Sequence, residues 1–312
     1  HQPIPHQPPG YLATEYPDGA AVNRLMNLPA PSPEDFLAAL RNSATRRETP
    51  CGSGSLVWHV WGAANAEHAP VVLLHGGSGS WTHWACNIAA LVQAGHQVLA
   101  PDLPGFGDSA RPATGRDADA LVAPLETGLQ TLIGTQACDL VGFSFGGMTA
   151  GLWTAAFPAR VRRLVVAGAP GLGVVGRNTV PLTAWRHLTD PAAVQAVHRH
   201  NLAALMLHDP AAITPLALHI HSTNVARDRM PGRRLAYTDA LAQALGRINQ
   251  PVWAIYGRED ALYKGQLDAL AMALAVAQAF QGLTLLDGAG HWLQFECAAA
   301  FDTVLAGILQ GD

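Results

Sequence analysis

Apolar positions recur along the chain in two rhythms. In "SLVWHVWG" (55–62) they alternate with less apolar ones, as in a strand with one face buried. Six later stretches are continuous apolar runs that close on turn residues. They are "PVVLLHGG" (70–77), "HQVLAPDLPG" (96–105), "CDLVG" (138–142), "RLVVAGAPG" (163–171), "PVWAIYG" (251–257) and "LTLLDG" (283–288). Helical stretches, such as 119–133, separate most of them. Buried strands alternating with helices predict an α/β fold with a mostly parallel sheet covered on both faces.

The rhythm breaks twice. Residues 1–31 are proline-rich and short of periodic apolar positions, so they read as an extended arm. Ser32-Pro33-Glu34-Asp35 then starts a helix that runs to about Arg47. It has a serine N-cap, a proline in the first turn and acids at the positive end of the dipole. Between Gly171 and Gly246 no good strand is found, and prolines at 181, 191, 210, 215 and 231 punctuate a helical composition. That interval is too long for a loop and reads as a helical cap. The expected organisation is an arm and short helix over 1–50, a core over 51–170, the cap over 171–246 and the rest of the core over 247–312.

Composition narrows the classes. The chain has 312 residues, 49% hydrophobic and 13% charged, with a formal net charge of -4. This is globular, with no basic footprint for nucleic acid. No apolar run reaches the ~20 residues of a membrane span, so no membrane partner is expected. Four scattered cysteines, none in C-x-x-C, read as reduced thiols, and a cytoplasmic setting is the expectation. The chain starts at His1, without a signal-peptide pattern, and is read as a trimmed or mature form.

The chemistry gathers at the ends of strands. Ser144 stands in Gly142-Phe143-Ser144-Phe145-Gly146, between an apolar strand and a helix, which is the setting of a nucleophile elbow. A serine needs a base, and the base needs an orienting carboxylate. His291 in "DGAGHWLQFE" and Asp260 in "GREDALY" follow the strands at 283–287 and 251–256, at the sheet end where open α/β sheets place their sites. Glu259 is the fallback for Asp260. Glycines in His75-Gly76-Gly77 let backbone amides approach a substrate oxygen, so the N–H groups of Gly77 and Phe145 are the expected oxyanion hole. His75 itself reads as a brace for its loop. Asp102 and Asp108 read as structural members of their turn.

These motifs together resemble an α/β-hydrolase-fold enzyme. The resemblance runs from about residue 55 to the end. It rests on the H-G-G loop, "PDLPGFGDS" (101–109), the G-x-S-x-G elbow, the G-x-x-D acid loop and the G-H loop, in family order. "AGHWLQFE", "VVAGAPGLG" and "YGRED" further resemble the meta-cleavage-product hydrolases, which split a carbon–carbon bond in a dienol-keto acid from aromatic ring fission. That resemblance implies a cap arginine for the substrate carboxylate, with Arg177, Arg186, Arg227, Arg229, Arg233 and Arg234 in range, and makes Trp292 a pocket wall. Two departures stand out. Phe143 replaces a small polar residue, and His75-Gly76-Gly77-Ser78-Gly79-Ser80 replaces H-G-x-G-P-G.

The expected pocket comprises Gly76, Ser78, Trp81, Phe143 and Trp292, with Trp84 a further candidate. The expected substrate is a small hydrophobic carbonyl compound, aromatic ones included, either a carboxylic ester or the diketone of a ring-fission product. No metal and no cofactor are implied. Histidine pairs 198/200 and 219/221 are spaced by two and would point to different faces of a helix. The alternatives are a cofactor-free haloperoxidase or perhydrolase with the same triad, and a non-enzymatic small-molecule receptor of the same fold. The oligomeric state is left open, a homodimer included.

Overall fold

The computed structural model describes residues 30–177 and 179–311, so all but the last two residues of the arm expected over 1–31 lie outside them. Among the described residues one eight-stranded sheet runs in the order β1-β2-β4-β3-β5-β6-β7-β8. The strands are β1 (Thr45–Cys51), β2 (Gly54–Trp61), β3 (Val71–Leu74), β4 (Val98–Pro101), β5 (Cys138–Phe143), β6 (Val161–Ala167), β7 (Val252–Gly257) and β8 (Phe280–Leu286). β2 is antiparallel to β1 and β4, and every pair from β4 to β8 is parallel.

Most of the continuous apolar runs are strands buried on both sides; β8, at the sheet edge, is the exception, with only Leu286 buried. Along β3, Val71 and Leu73 enter one apolar cluster and Val72 and Leu74 the other. β6 splits likewise, with Val165 and Ala167 on one face and Leu164 and Val166 on the other. A period of two therefore hides inside an unbroken apolar run. Helices cover both faces: α1 (Pro33–Asn42), α2 (Ile88–Gln93), α3 (Val122–Ile133), α4 (Phe145–Ala156), α5 (Pro191–Asn201), α6 (Pro215–Val225), α7 (Ala240–Leu245), α8 (Leu267–Leu274), α9 (Leu293–Glu296) and α10 (Ala298–Gln310).

The Ser32 N-cap accepts a hydrogen bond from the Asp35 amide, but α1 stops at Asn42, well short of Arg47. The chain then enters β1, an edge strand whose first four residues are exposed, so the boundary expected at 50 falls inside the sheet. Between β6 and β7 the described residues contain no strand. They hold α5, α6 and α7, and α5 ends in a π-helical turn at Leu202–Met206. Among the described residues no helix is long and apolar enough to cross a membrane.

Candidate active site

β5 delivers Ser144 at its C-terminal end, and α4 begins one residue later. The serine backbone is left-handed, at φ 54° and ψ -122°. Among the described residues only Ser78 and Ser144 take positive φ without being glycine. Such strain persists only where the surroundings over-determine it. Here they do, because a Cβ at Gly142 would collide with the Gly146 carbonyl and a Cβ at Gly146 with the His75 carbonyl. The two motif glycines are thus required by close backbone approach between strand, helix and the chain leaving β3 at His75.

His291 sits in the loop after β8 and is buried. Its Nε2 lies 2.9 Å from Ser144 Oγ and its Nδ1 lies 2.9 Å from Asp260 Oδ2. The carboxylate accepts the Nδ1 proton, which leaves Nε2 free to accept from the serine hydroxyl. Asp260 is fully buried, and its other oxygen accepts from the Leu262 amide at 3.0 Å. Beneath the loop, Gly257 has no room for a side chain against the carbonyls of Ala289 and Gly290. From the other side the Glu296 carboxylate accepts from the Gly290 amide at 2.7 Å and from the His208 and Asp209 amides of the β6–β7 segment. The loop carrying the imidazole is therefore clamped between β7 and that segment.

A cavity of about 940 Å³ opens beside this chain of hydrogen bonds. Gly76, Gly77, Ser78, Phe143, Ser144, Phe145 and His291 form its floor, and Val175, Leu205, Met206, Tyr237 and Leu262 line it with apolar surface. A Cβ placed on Gly77 would stand 3.6 Å from that of Phe145, so the two amides proposed for the oxyanion are neighbours. Of the six arginines in range, Arg186, Arg229 and Arg233 reach the wall. A second cavity of about 620 Å³, with Trp185, His187 and His221, shares Gly77, Ser78, His83 and Met206 with the first.

The wider comparison agrees with this architecture. The model of a family described as alpha/beta hydrolase fold matches residues 69–212. A 2-hydroxymuconate semialdehyde hydrolase of Pseudomonas sp. (strain CF600) is 31% identical over 255 residues, 77% of this chain and 86% of that one. The chain is an α/β hydrolase. Solved structures share its fold at 22% identity and a TM-score of 0.65. They include an esterase from Rhodococcus sp. ECU1013, matching 85% of this chain and 98% of that one, and a meta-cleavage product hydrolase from Pseudomonas fluorescens IP01, matching 84% and 96%.

Two expected pocket walls of the hydrolase lie elsewhere. Trp292 is fully buried, stacked 4.2 Å from Phe295, with its indole N–H on the His83 carbonyl. Trp81 packs against His59 and Trp61, with the Arg41 guanidinium 5.9 Å above its ring. Neither lines the cavity, because the chain direction after each motif turns the ring into the core. Trp84 is buried against Phe301 in the same way.

The loop histidine has a bracing geometry. His75 Nδ1 donates to the Gly76 carbonyl at 2.7 Å and Nε2 accepts from the Leu103 amide at 2.8 Å. Burial lowers its pKa to about 4, so it stays neutral. Asp102 accepts from the Trp81 and Asp108 amides, and burial raises its pKa to about 6.

Sequence reasoning missed His83, which lines both cavities of the hydrolase. Its Nδ1 accepts from the Gly76 amide at 3.1 Å, which leaves the proton on Nε2. Burial holds its pKa well below the ordinary histidine value. A lone histidine four residues before an asparagine carries no motif signal; only the fold brings it to the site.

Proposed function

We propose that the hydrolase is a serine-nucleophile enzyme that cleaves the carbon–carbon bond of a hydrophobic, carboxylate-bearing ring-fission product. The observation that carries the reading is the continuous path from Ser144 Oγ through His291 to Asp260, at 2.9 Å per step, opening on a mostly apolar cavity with arginines in its wall. Residues 171–246 serve as the cap. The 31% identical relative, named for a semialdehyde of this chemical class, supports the substrate assignment.

His291 first drives the dienol substrate to its keto tautomer, which moves a proton from oxygen to carbon. Ser144 then attacks the remote carbonyl as His291 takes the hydroxyl proton, and the oxyanion is held by the amides of Gly77 and Phe145. The carbon–carbon bond breaks, its electron pair passes into the conjugated dienolate, and the imidazolium returns the proton. Water, activated by the same imidazole, releases the acyl group from Ser144. Asp260 fixes the imidazole tautomer throughout. Arg186, whose guanidinium lies 4.7 Å over Trp185 with one nitrogen on the Val225 carbonyl, is placed to take the substrate carboxylate.

Simple ester hydrolysis is the second reading, and Phe143 favours it. The apolar ring stands 5.1 Å from His291, where it offers a dienolate no hydrogen bond. The two readings separate in one assay: a ring-fission dienoate beside a short p-nitrophenyl ester, with Ser144→Ala as control. Rapid, Ser144-dependent bleaching of the dienoate is the expected result. Ester turnover with an inert dienoate would replace the first reading by the second.

A further inference from the structure

Ser78 stands where the related loop pattern H-G-x-G has glycine, and it keeps a glycine-like backbone. Its φ is 55°. A serine pays for that conformation in strain of order 1–3 kcal/mol, unless something holds it. What holds it comes from the other side of the cavity. The Ser78 hydroxyl donates to Asp228 Oδ2 at 2.6 Å, across 150 residues of chain.

Asp228 is itself fixed three further ways. Its Oδ1 accepts from the Met230 amide at 2.9 Å, and both oxygens accept from Arg233 Nη1 at 3.0 Å. Arg233 Nη1 also donates to the Met230 carbonyl, at 2.6 Å. The guanidinium lies 5.1 Å over the Phe106 ring and 5.3 Å over the Phe145 ring. Its second nitrogen would stand 3.1 Å from a Cβ on Gly77. A bare carboxylate here would repel a developing oxyanion. With Arg233 bound to it, the pair is neutral and its cationic end faces the Gly77 loop.

We infer that Ser78, Asp228 and Arg233 form a clasp between cap and oxyanion loop, in which Ser78 and Asp228 are positioning residues that set the Gly77 amide. The inference rests on the proposed serine-nucleophile reading. On it, the oxyanion hole is complete only while Asp228 holds Ser78 in its left-handed conformation. Glycine would reach that conformation alone; alanine would neither favour it nor bind Asp228.

The test is the rate of covalent labelling of Ser144 by an aryl fluorophosphonate, whose tetrahedral phosphoryl oxygen must enter the oxyanion hole. It needs no knowledge of the natural substrate. Loss of one oxyanion donor outright costs roughly 10²–10³ in rate, so displacing one is expected to cost about 10–100-fold. Ser78→Ala and Asp228→Ala should each slow labelling by about that factor. The double variant should be no slower than the worse single one, since both break the same link. Ser78→Gly should label at least several-fold faster than Ser78→Ala. Thermal melting of each variant identifies any that fails to fold, and the glycine–alanine contrast does not depend on Asp228→Ala folding. Parental labelling in Ser78→Ala, or Ser78→Gly as slow as Ser78→Ala, would overturn the clasp. Label on a Ser144→Ala control at the parental rate would instead remove the serine-nucleophile reading, and the clasp with it.

Discussion

At the scale of single residues, the site divides into groups whose chemistry is visible in a motif and groups that only packing recruits. Ser144, His291 and Asp260 belong to the first kind, because each sits in a short glycine-marked loop after an apolar run. Asp260 is fully buried on the imidazole, whereas Glu259 is tied by its backbone to the Ala289 carbonyl and no side-chain bond joins it to His291. Asp260→Asn should therefore lower kcat by about 10⁴, and Ser144→Ala by up to roughly a millionfold. Glu259→Gln should change kcat by no more than about threefold, which steady-state rates on the active substrate would check. An equal loss at Glu259 would transfer the orienting role to it. His83 belongs to the second kind, and so do the tryptophans. Trp81 and Trp292 follow functional motifs in sequence, yet their rings point into the core, and sequence adjacency carries no information about which way a ring turns.

At the scale of elements, the inner parallel strands were legible because burial on both faces leaves an unbroken apolar run, and β8, at the edge, kept one in Leu283-Thr284-Leu285-Leu286 although it is mostly not buried. β1 was not, since its edge position lets "TRRETPC" stay polar. The π-helical turn at Leu202–Met206 had no signal at all, although Leu205 and Met206 line the cavity. Glu296 ties this part of the structure together. One carboxylate serves amides from the His291 loop and from the chain just beyond the π turn. Burial raises its pKa even though those amides favour the charged form. Glu296→Ala leaves three inward-facing amides without their acceptor, at about 1–3 kcal/mol for a buried group left unmatched. The expected loss is about 2–4 kcal/mol in urea unfolding, with a lower kcat as the His291 loop loosens. An unchanged urea midpoint would show that water or another group takes over the amides.

At the scale of the whole molecule, buried histidines and buried carboxylates push the response to acid in opposite directions. Burial lowers the pKa of His59, His75 and His221 to about 4 in each case. A histidine with a lowered folded pKa binds fewer protons folded than unfolded. Its contribution is full above about pH 6.5 and is lost as pH falls toward 4. Asp102 and Asp139, raised by burial to about 6, work in the opposite sense, gaining stability as pH falls below 6. A comparison against His75→Gln isolates one group. The stability gap between parent and variant should narrow by about 3 kcal/mol between pH 6.5 and 4. A gap independent of pH would mean that His75 is not neutral in the fold. The sheet order has a consequence of another sort, in the timing of synthesis. On the proposed reading the nucleophile Ser144 and its base His291 are 147 residues apart in the chain. At ribosomal speeds of about 5–20 residues per second, the base emerges roughly 7–30 s after the serine. Strands β1 to β6 can pair while the rest is still being made, because β7 and β8 only extend the sheet at one edge. The nascent chain thus passes through a period in which the elbow is built but no imidazole stands beside it. A ribosome that stalls before β8 leaves the β7 edge bare, and on the proposed serine-nucleophile reading the chemistry waits for the loop that follows β8.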